Sequence, residues 1–223
     1  MKLQILYEDN HLIAVYKPAG VLIQGDETGD HSLMDDVKEF IKERDQKPGN
    51  VFLGLIHRLD QPVQGIVLFA KTSKGASRLA EQFREHKVRK IYHAVVEGVP
   101  PEIKGKVVSF LSKDRVRNKT SVHKKEQEGS KRAELSYKML QSDGKRSLVA
   151  IYPITGRPHQ IRAQLAELGC PIVGDLKYGA RAPLPDKSVA LAATGLTFHL
   201  ATKDEEKTLE VDIPSAWKNF IEA

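Results

Sequence analysis

Gly54-Leu55-Ile56-His57-Arg58-Leu59-Asp60-Gln61-Pro62-Val63-Gln64-Gly65-Ile66-Val67-Leu68-Phe69-Ala70-Lys71 is the stretch of this 223-residue chain from which the architecture can be worked outward. Two apolar runs, 51–56 and 66–70, flank a polar loop containing a proline and a glycine, residues that interrupt strands. The pattern predicts two strands that hold His57, Arg58 and Asp60 at the rim of a rigid sheet. Similar runs bounded by turn residues recur at 3–7, 12–16, 90–96, 107–111, 133–140, 148–152 and 191–200, and each predicts a strand.

Helical spacing appears in three places. Residues 32–44 put Leu33, Val37, Phe40 and Ile41 on one face behind a capping Ser32, and 73–86 do the same with Ala76, Leu79, Ala80 and Phe83. Residues 158–168 run from Pro158, suited to a first helical turn, to a stop at Gly169 and Pro171. There Ile161, Leu165 and Leu168 form an apolar stripe, and His159 with Arg162 shares another face. Strands dominate and the helices are too irregularly spaced for repeated βα units. The class expected is α+β, a mainly antiparallel mixed sheet with flanking helices. No repeat or low-complexity linker divides the chain, so residues 1–223 are read as one domain.

Composition narrows the function. Hydrophobic residues make up 40% of the chain, enough to bury a core, and the single Cys170 excludes a disulfide framework or a cysteine-rich zinc module. Cys170 itself reads as an inert buried thiol. No run is long enough to span a membrane, and Glu8 and Asp9 fall where a signal peptide would continue its apolar segment, so a cytoplasmic protein is expected. The formal net charge of +6 favours polyanionic partners. Between residues 112 and 132, Lys113, Arg115, Arg117, Lys119, Lys124, Lys125, Lys131 and Arg132 face only Asp114, Glu126 and Glu128. That segment is either a solvated loop or a mobile basic arm that neutralises phosphates, with Lys124 and Lys125 as candidate contacts. Walker, dinucleotide-binding and His-Glu-x-x-His signatures are missing. His57, Asp60 and His159 are the trio most suited to a metal, but without diagnostic spacing no metal site is expected.

A second stretch, Tyr152-Pro153-Ile154-Thr155-Gly156-Arg157-Pro158-His159-Gln160-Ile161-Arg162, continues to Gly169-Cys170-Pro171-Ile172-Val173-Gly174-Asp175-Leu176-Lys177-Tyr178-Gly179. Taken with the first, it resembles the RluA family of RNA pseudouridine synthases. The family pattern H-R-L-D-x-x-T-S-G is met by His57-Arg58-Leu59-Asp60-Gln61-Pro62-Val63-Gln64-Gly65, then Ala70-Lys71-Thr72. T-G-R-x-H-Q-I-R and G-x-P-I-x-G-D-x-x-Y-G are met by residues 155–162 and 169–179. Smaller agreements lie at Tyr16-Lys17-Pro18-Ala19-Gly20 and at Lys90-Ile91-Tyr92-His93-Ala94-Val95-Val96-Glu97-Gly98. Four motifs in family order across most of the chain make the resemblance specific.

The resemblance implies the pseudouridine synthase fold with a central RNA-binding cleft, tRNA or rRNA as partner, and no cofactor. It makes Asp60 the catalytic carboxylate, adding to the uracil ring or engaging the anomeric carbon. Arg162 is then the cation that keeps this acid ionised where burial alone would raise its pKa. By the same resemblance Tyr92 stacks on the target base and assists proton loss from carbon 5, and Arg58 fills the nucleic-acid stack as the target nucleotide leaves it. His57 accompanies Arg58 as a rim contact. Lys17 and Arg157 are assigned to phosphate or to the cleft lining, and His159 and Gln160 to hydrogen bonds that fasten the loops around the substrate. Asp175 and Tyr178 are assigned to turn chemistry.

Val63-Gln64 departs from the family's Thr-Ser, removing two small hydroxyls behind the loop, while Pro62 stiffens it. Loop geometry or substrate choice is therefore expected to differ. The chain is read as a monomeric catalytic domain lacking an accessory N-terminal RNA-binding domain, so its own basic surface must hold the RNA. Two other readings stay open: a catalytically impaired RNA-binding protein on the same scaffold, and a metal-dependent hydrolase using His57, Asp60 and His159.

Overall fold

The computed structural model describes residues 3–25 and 29–220. Among them are eleven strands and three α-helices, in two compact units. One comprises the chain up to Arg89 with Gly195–Val211; the other comprises Lys90–Thr194 with the chain from Asp212. None of the described helices is long and apolar enough to cross a membrane.

In the first unit, β1 (Gln4–Glu8) and β2 (Leu12–Lys17) form a hairpin. Its turn is set by Asp9, whose Oδ1 accepts the N–H groups of His11 and Leu12, both at 2.7 Å. Helix α1 (Leu33–Arg44) begins with the Ser32 cap read from the sequence, and Asp35 returns a bond to the Ser32 N–H. β3 (Gly54–Leu55) is shorter than its apolar run; it pairs with β4 (Gln64–Ala70), which also pairs with β2 so that Lys17 lies opposite Gly65. Helix α2 (Ser73–Arg84) is capped by Thr72, whose Oγ1 accepts the Gly75 N–H at 3.1 Å. The core gathers Leu12, Ala14, Ile66, Leu68, Leu79 and Val88.

The second unit holds all but the first residue of β5 (Arg89–Glu97), with β6 (Lys104–Asp114), β7 (Lys119–His123), β8 (Lys131–Ser142) and β9 (Arg146–Pro153). Their antiparallel ladders run in the order β5-β9-β8-β6-β7. Helix α3 (Gln160–Glu167) packs against β6 and β7. Cys170 is buried, and burial pushes its thiol pKa up, as an inert thiol requires. β10 (Leu191–His199) carries the chain from this unit back into the first, where Gly195–His199 pairs with β11 (Glu206–Glu210).

Three readings need correction. The basic segment 112–132 is not one continuous loop or arm: it forms the end of β6, all of β7 and the start of β8, joined by turns at 115–118 and 124–130 that carry the exposed Arg115, Arg117, Lys124 and Lys125. Its strand is hidden in the sequence because β7 is an edge strand whose buried position is a polar residue, Thr120. Lysines flanking such an edge also discourage unwanted pairing. β11 was hidden similarly, since Leu209 is its one buried residue. Helix α3 starts after His159, not at Pro158, because the His159 backbone is left-handed at φ 53°. Arg162 does not project outward from it; Gln160 through Leu165 are all buried.

Candidate active site

The Asp60 loop is anchored from inside. Leu59 and Val63 are buried on either side of a turn closed by the Val63 N–H donating to the Asp60 carbonyl at 3.0 Å. The next carbonyl, that of Gln61, accepts from the Gly20 N–H at 2.8 Å and from Lys17 Nζ at 2.9 Å, while Gln61 Nε2 donates to the Gly20 carbonyl at 3.1 Å. Lys17 is fully buried and also donates to the carbonyls of Val21 (2.7 Å) and Pro18 (3.0 Å). Burial pushes its pKa down to about 8, an effect opposed by the negative charge of Asp60. This corrects the assignment of Lys17 to phosphate or the cleft lining: its ammonium is spent inside the protein, fastening the backbone of the Asp60 loop.

The Val63-Gln64 departure is absorbed locally. Val63 fills an apolar position, and Gln64 Oε1 accepts the Tyr16 hydroxyl at 2.7 Å. His57 is likewise drawn into the scaffold. Its Nε2 accepts the Leu68 N–H at 3.0 Å and its ring stacks on Phe83 with centroids 5.0 Å apart. A ring nitrogen accepting from the backbone is a poor candidate for substrate or metal. Arg58 is exposed and Asp60 half-buried. Among the described residues no group of three or more His, Cys, Asp or Glu is placed to hold a metal ion. A shallow hollow lined by Ser32, Asp35, Lys38 and Leu55 contains none of the expected site residues.

In the second unit, the loop before α3 is a closed mesh. Gln160 Oε1 accepts from Thr155 Oγ1 at 2.8 Å and from the Arg157 N–H at 3.0 Å, and its Nε2 donates to the Glu134 carbonyl at 3.1 Å. Gln160 is therefore a buried strut of this loop, an arrangement at odds with substrate contact. Arg157 is half-buried, with Nε donating to the Arg132 carbonyl at 3.1 Å. Arg162, 5% exposed, forks onto Asp175: Nε to Oδ2 at 2.7 Å and Nη2 to Oδ1 at 2.8 Å. Its guanidinium carbon lies 5.1 Å from the centre of the Tyr178 ring. His159 reaches the same residue, Nδ1 lying 2.8 Å from the Tyr178 hydroxyl. Asp175 and Tyr178 are thus more than turn formers; Asp175 makes no capping bond at the short 3-10 turn Leu176–Tyr178.

Tyr92 is half-buried in β5 opposite Ile151. Lys90, two residues earlier and so on the same side of the strand, is pushed down to about 8 by burial. Lys90 opens the 90–98 motif, and nothing in the local sequence distinguishes it from a surface lysine. Lys124 and Lys125 are exposed in the turn after β7. Lys17, His57, Arg58 and Asp60 belong to the first unit; Tyr92, Lys124, Lys125, Arg157, His159, Gln160 and Arg162 belong to the second.

Residues 11–167, drawn from both units, match the family model for RNA pseudouridylate synthase. The chain is 33% identical over 244 residues to tRNA pseudouridine synthase C of Vibrio parahaemolyticus, covering 99% of this chain and 94% of that protein. It is 39% identical over 191 residues to tRNA pseudouridine synthase C of Haemophilus ducreyi, covering 80% and 75%. Ribosomal large subunit pseudouridine synthase C of Buchnera aphidicola (subspecies Baizongia pistaciae) is 35% identical over 177 residues, 79% of this chain, which spans only 54% of that longer protein. A solved structure, human RNA Pseudouridylate Synthase Domain Containing 4, superposes with a TM-score of 0.80 at 26% identity, covering 96% of this chain and 90% of that one. These likenesses place the fold in the class of α+β RNA-modifying domains. The chain belongs to the RNA pseudouridylate synthase family, a family of isomerases that act on RNA.

Proposed function

We propose that this chain converts uridine to pseudouridine in a structured tRNA or rRNA, with Asp60 as the catalytic carboxylate. The observation that carries the reading is the bracing of the Asp60 loop. A half-buried acid follows a buried leucine, and the adjoining backbone is clamped by a fully buried lysine and a tight turn. A carboxylate on such a backbone is held ready to meet an electron-poor carbon. The ribose–nitrogen bond breaks, uracil rotates, and a bond from carbon 5 replaces it while the carbon 5 proton leaves to solvent and nitrogen 1 gains one. Whether Asp60 adds to the ring or to the anomeric carbon, it is released unchanged. Substrate and product are isomers, so the reaction consumes no reductant, nucleotide or metal.

Tyr92 is assigned to stacking and proton removal, Arg162 to keeping the carboxylate ionised, and Arg58 to the gap left in the RNA stack. Exposed Lys124 and Lys125, with Arg157, are assigned to phosphates. The tRNA and ribosomal names of the relatives and the net charge of +6 support RNA as the partner. The family match across both units supports a single catalytic domain, which in this reading acts as a cytoplasmic monomer.

Asp60→Asn is expected to abolish pseudouridine formation in uridine-labelled tRNA and rRNA transcripts while RNA affinity stays within about threefold, since the lost charge acts in the transition state. Normal turnover by that variant overturns the proposal, as does a wild-type protein that forms RNA complexes and leaves every uridine unchanged.

A further inference from the structure

We infer that Asp175 and Tyr178 are positioning residues, which hold the Arg162 guanidinium in one plane and tie that plane to the basic β6–β7 hairpin. The inference rests on the reading that Arg162 takes part in the reaction. The Asp175 fork uses the Nε and Nη2 edge of Arg162, both residues are buried, and the Tyr178 ring lies beside the guanidinium. Two parallel hydrogen bonds and a ring contact stop rotation of the group, so the direction of its Nη1 edge is set by Asp175. Burying an ion pair is an inefficient way to stabilise a fold, because desolvation offsets the attraction. Orientation of the arginine is what the arrangement secures.

Tyr178 links this seat to the hairpin. Its hydroxyl accepts the Thr120 N–H at 2.8 Å, near the start of β7, and its proton is then available to His159 Nδ1. Thr120 Oγ1 donates to the Pro158 carbonyl at 2.9 Å, and Lys177 Nζ donates to the Asn118 carbonyl at 3.2 Å. Lys119 Nζ lies 5.6 Å from the Tyr178 ring centre. The hairpin whose turn carries Arg115 and Arg117 is therefore fastened to the residue beside Arg162. Contact between the hairpin and phosphates would bear directly on that seat.

The test uses Asp175→Asn, Asp175→Glu, Tyr178→Phe and Arg162→Gln in the full chain. Pseudouridine formation is measured on bulk bacterial tRNA and a large-subunit rRNA transcript, with kcat and KM separated. Asp175→Asn is expected to lower kcat at least about tenfold with KM within about twofold, and Asp175→Glu to recover part of it. Tyr178→Phe, which keeps the ring, is expected to raise KM and flatten the salt dependence of binding more than it lowers kcat. The NMR signal of the Arg162 Nε–H is expected to shift in both Asp175 variants. An unchanged kcat in Asp175→Asn beside an inactive Arg162→Gln overturns this inference alone, whereas an active Arg162→Gln also removes the proposed role of Arg162. If Asp175→Asn does not fold, an unmoved Arg162 signal in Asp175→Glu overturns it equally.

Discussion

Replacing Lys17 with methionine tests whether a buried cation braces the Asp60 loop. Methionine approximates the aliphatic stem and deletes the ammonium with its bonds to Pro18, Val21 and Gln61. At roughly 1 kcal/mol net for each, those bonds contribute about 3 kcal/mol. Against them stands desolvation of the ammonium, which outweighs the attraction of Asp60 and lowers the pKa from an ordinary 10.5 to about 8, a net of about 3 kcal/mol. The two nearly cancel, so stability at pH 7 should change by no more than about 2 kcal/mol.

With rising pH the balance shifts. Folded wild-type protein loses the Lys17 proton near pH 8, while the unfolded chain keeps it to about 10.5. Across that window the unfolded state binds more protons, so wild-type stability rises with pH, and Lys17→Met lacks this rise. Urea unfolding of both proteins at steps from pH 7 to 10.5 should show the gap widening by about 3 kcal/mol in favour of wild type, with contributions from all other titrating groups cancelling in the difference. Pseudouridine formation by the variant at pH 7 should fall at least about tenfold because the Gln61 carbonyl loses its clamp. A constant stability gap would refute the desolvated ammonium, and full activity would refute the bracing.

Other perturbations probe separate parts of the molecule. Thr72→Ala removes the α2 cap and should cost about 1 kcal/mol in urea unfolding; a change below about 0.3 kcal/mol would show the cap to be idle. Gly105→Ala would place a Cβ 2.5 Å from Cε1 of the buried Tyr137 ring, so a loss of about 1–3 kcal/mol and a lower melting temperature are expected. An unaltered melting temperature would mean that the ring moves aside freely. Replacing exposed Lys124 and Lys125 with glutamine should reduce the slope of log affinity for tRNA against log salt by about 1–2, and an identical slope would remove them from the RNA contact.

The legible parts of the chain are those decided by neighbours in sequence. Ser32 caps its helix because its side chain bonds to an N–H three residues on, and β2 and β4 are continuous apolar runs that pair with each other. The edge strands β7 and β11 were not legible, since each is paired on one side and needs only one or two inward residues. The start of α3 was displaced by a left-handed His159, which a proline one residue earlier did not announce.

By itself the sequence determined the α+β class, the helix starts of α1 and α2, and the order of motifs that carries the family resemblance. Tertiary structure alone decided which polar groups face water. Lys17 looked like a phosphate contact until Gln61, 44 positions away, supplied a carbonyl beside it. Arg162 sits on the polar face of its helix, yet it is buried because Asp175 closes on it from the following loop. Periodicity reports the average polarity of a face, but the environment of a charge depends on chain segments far away in sequence, which only the completed fold brings within bonding distance.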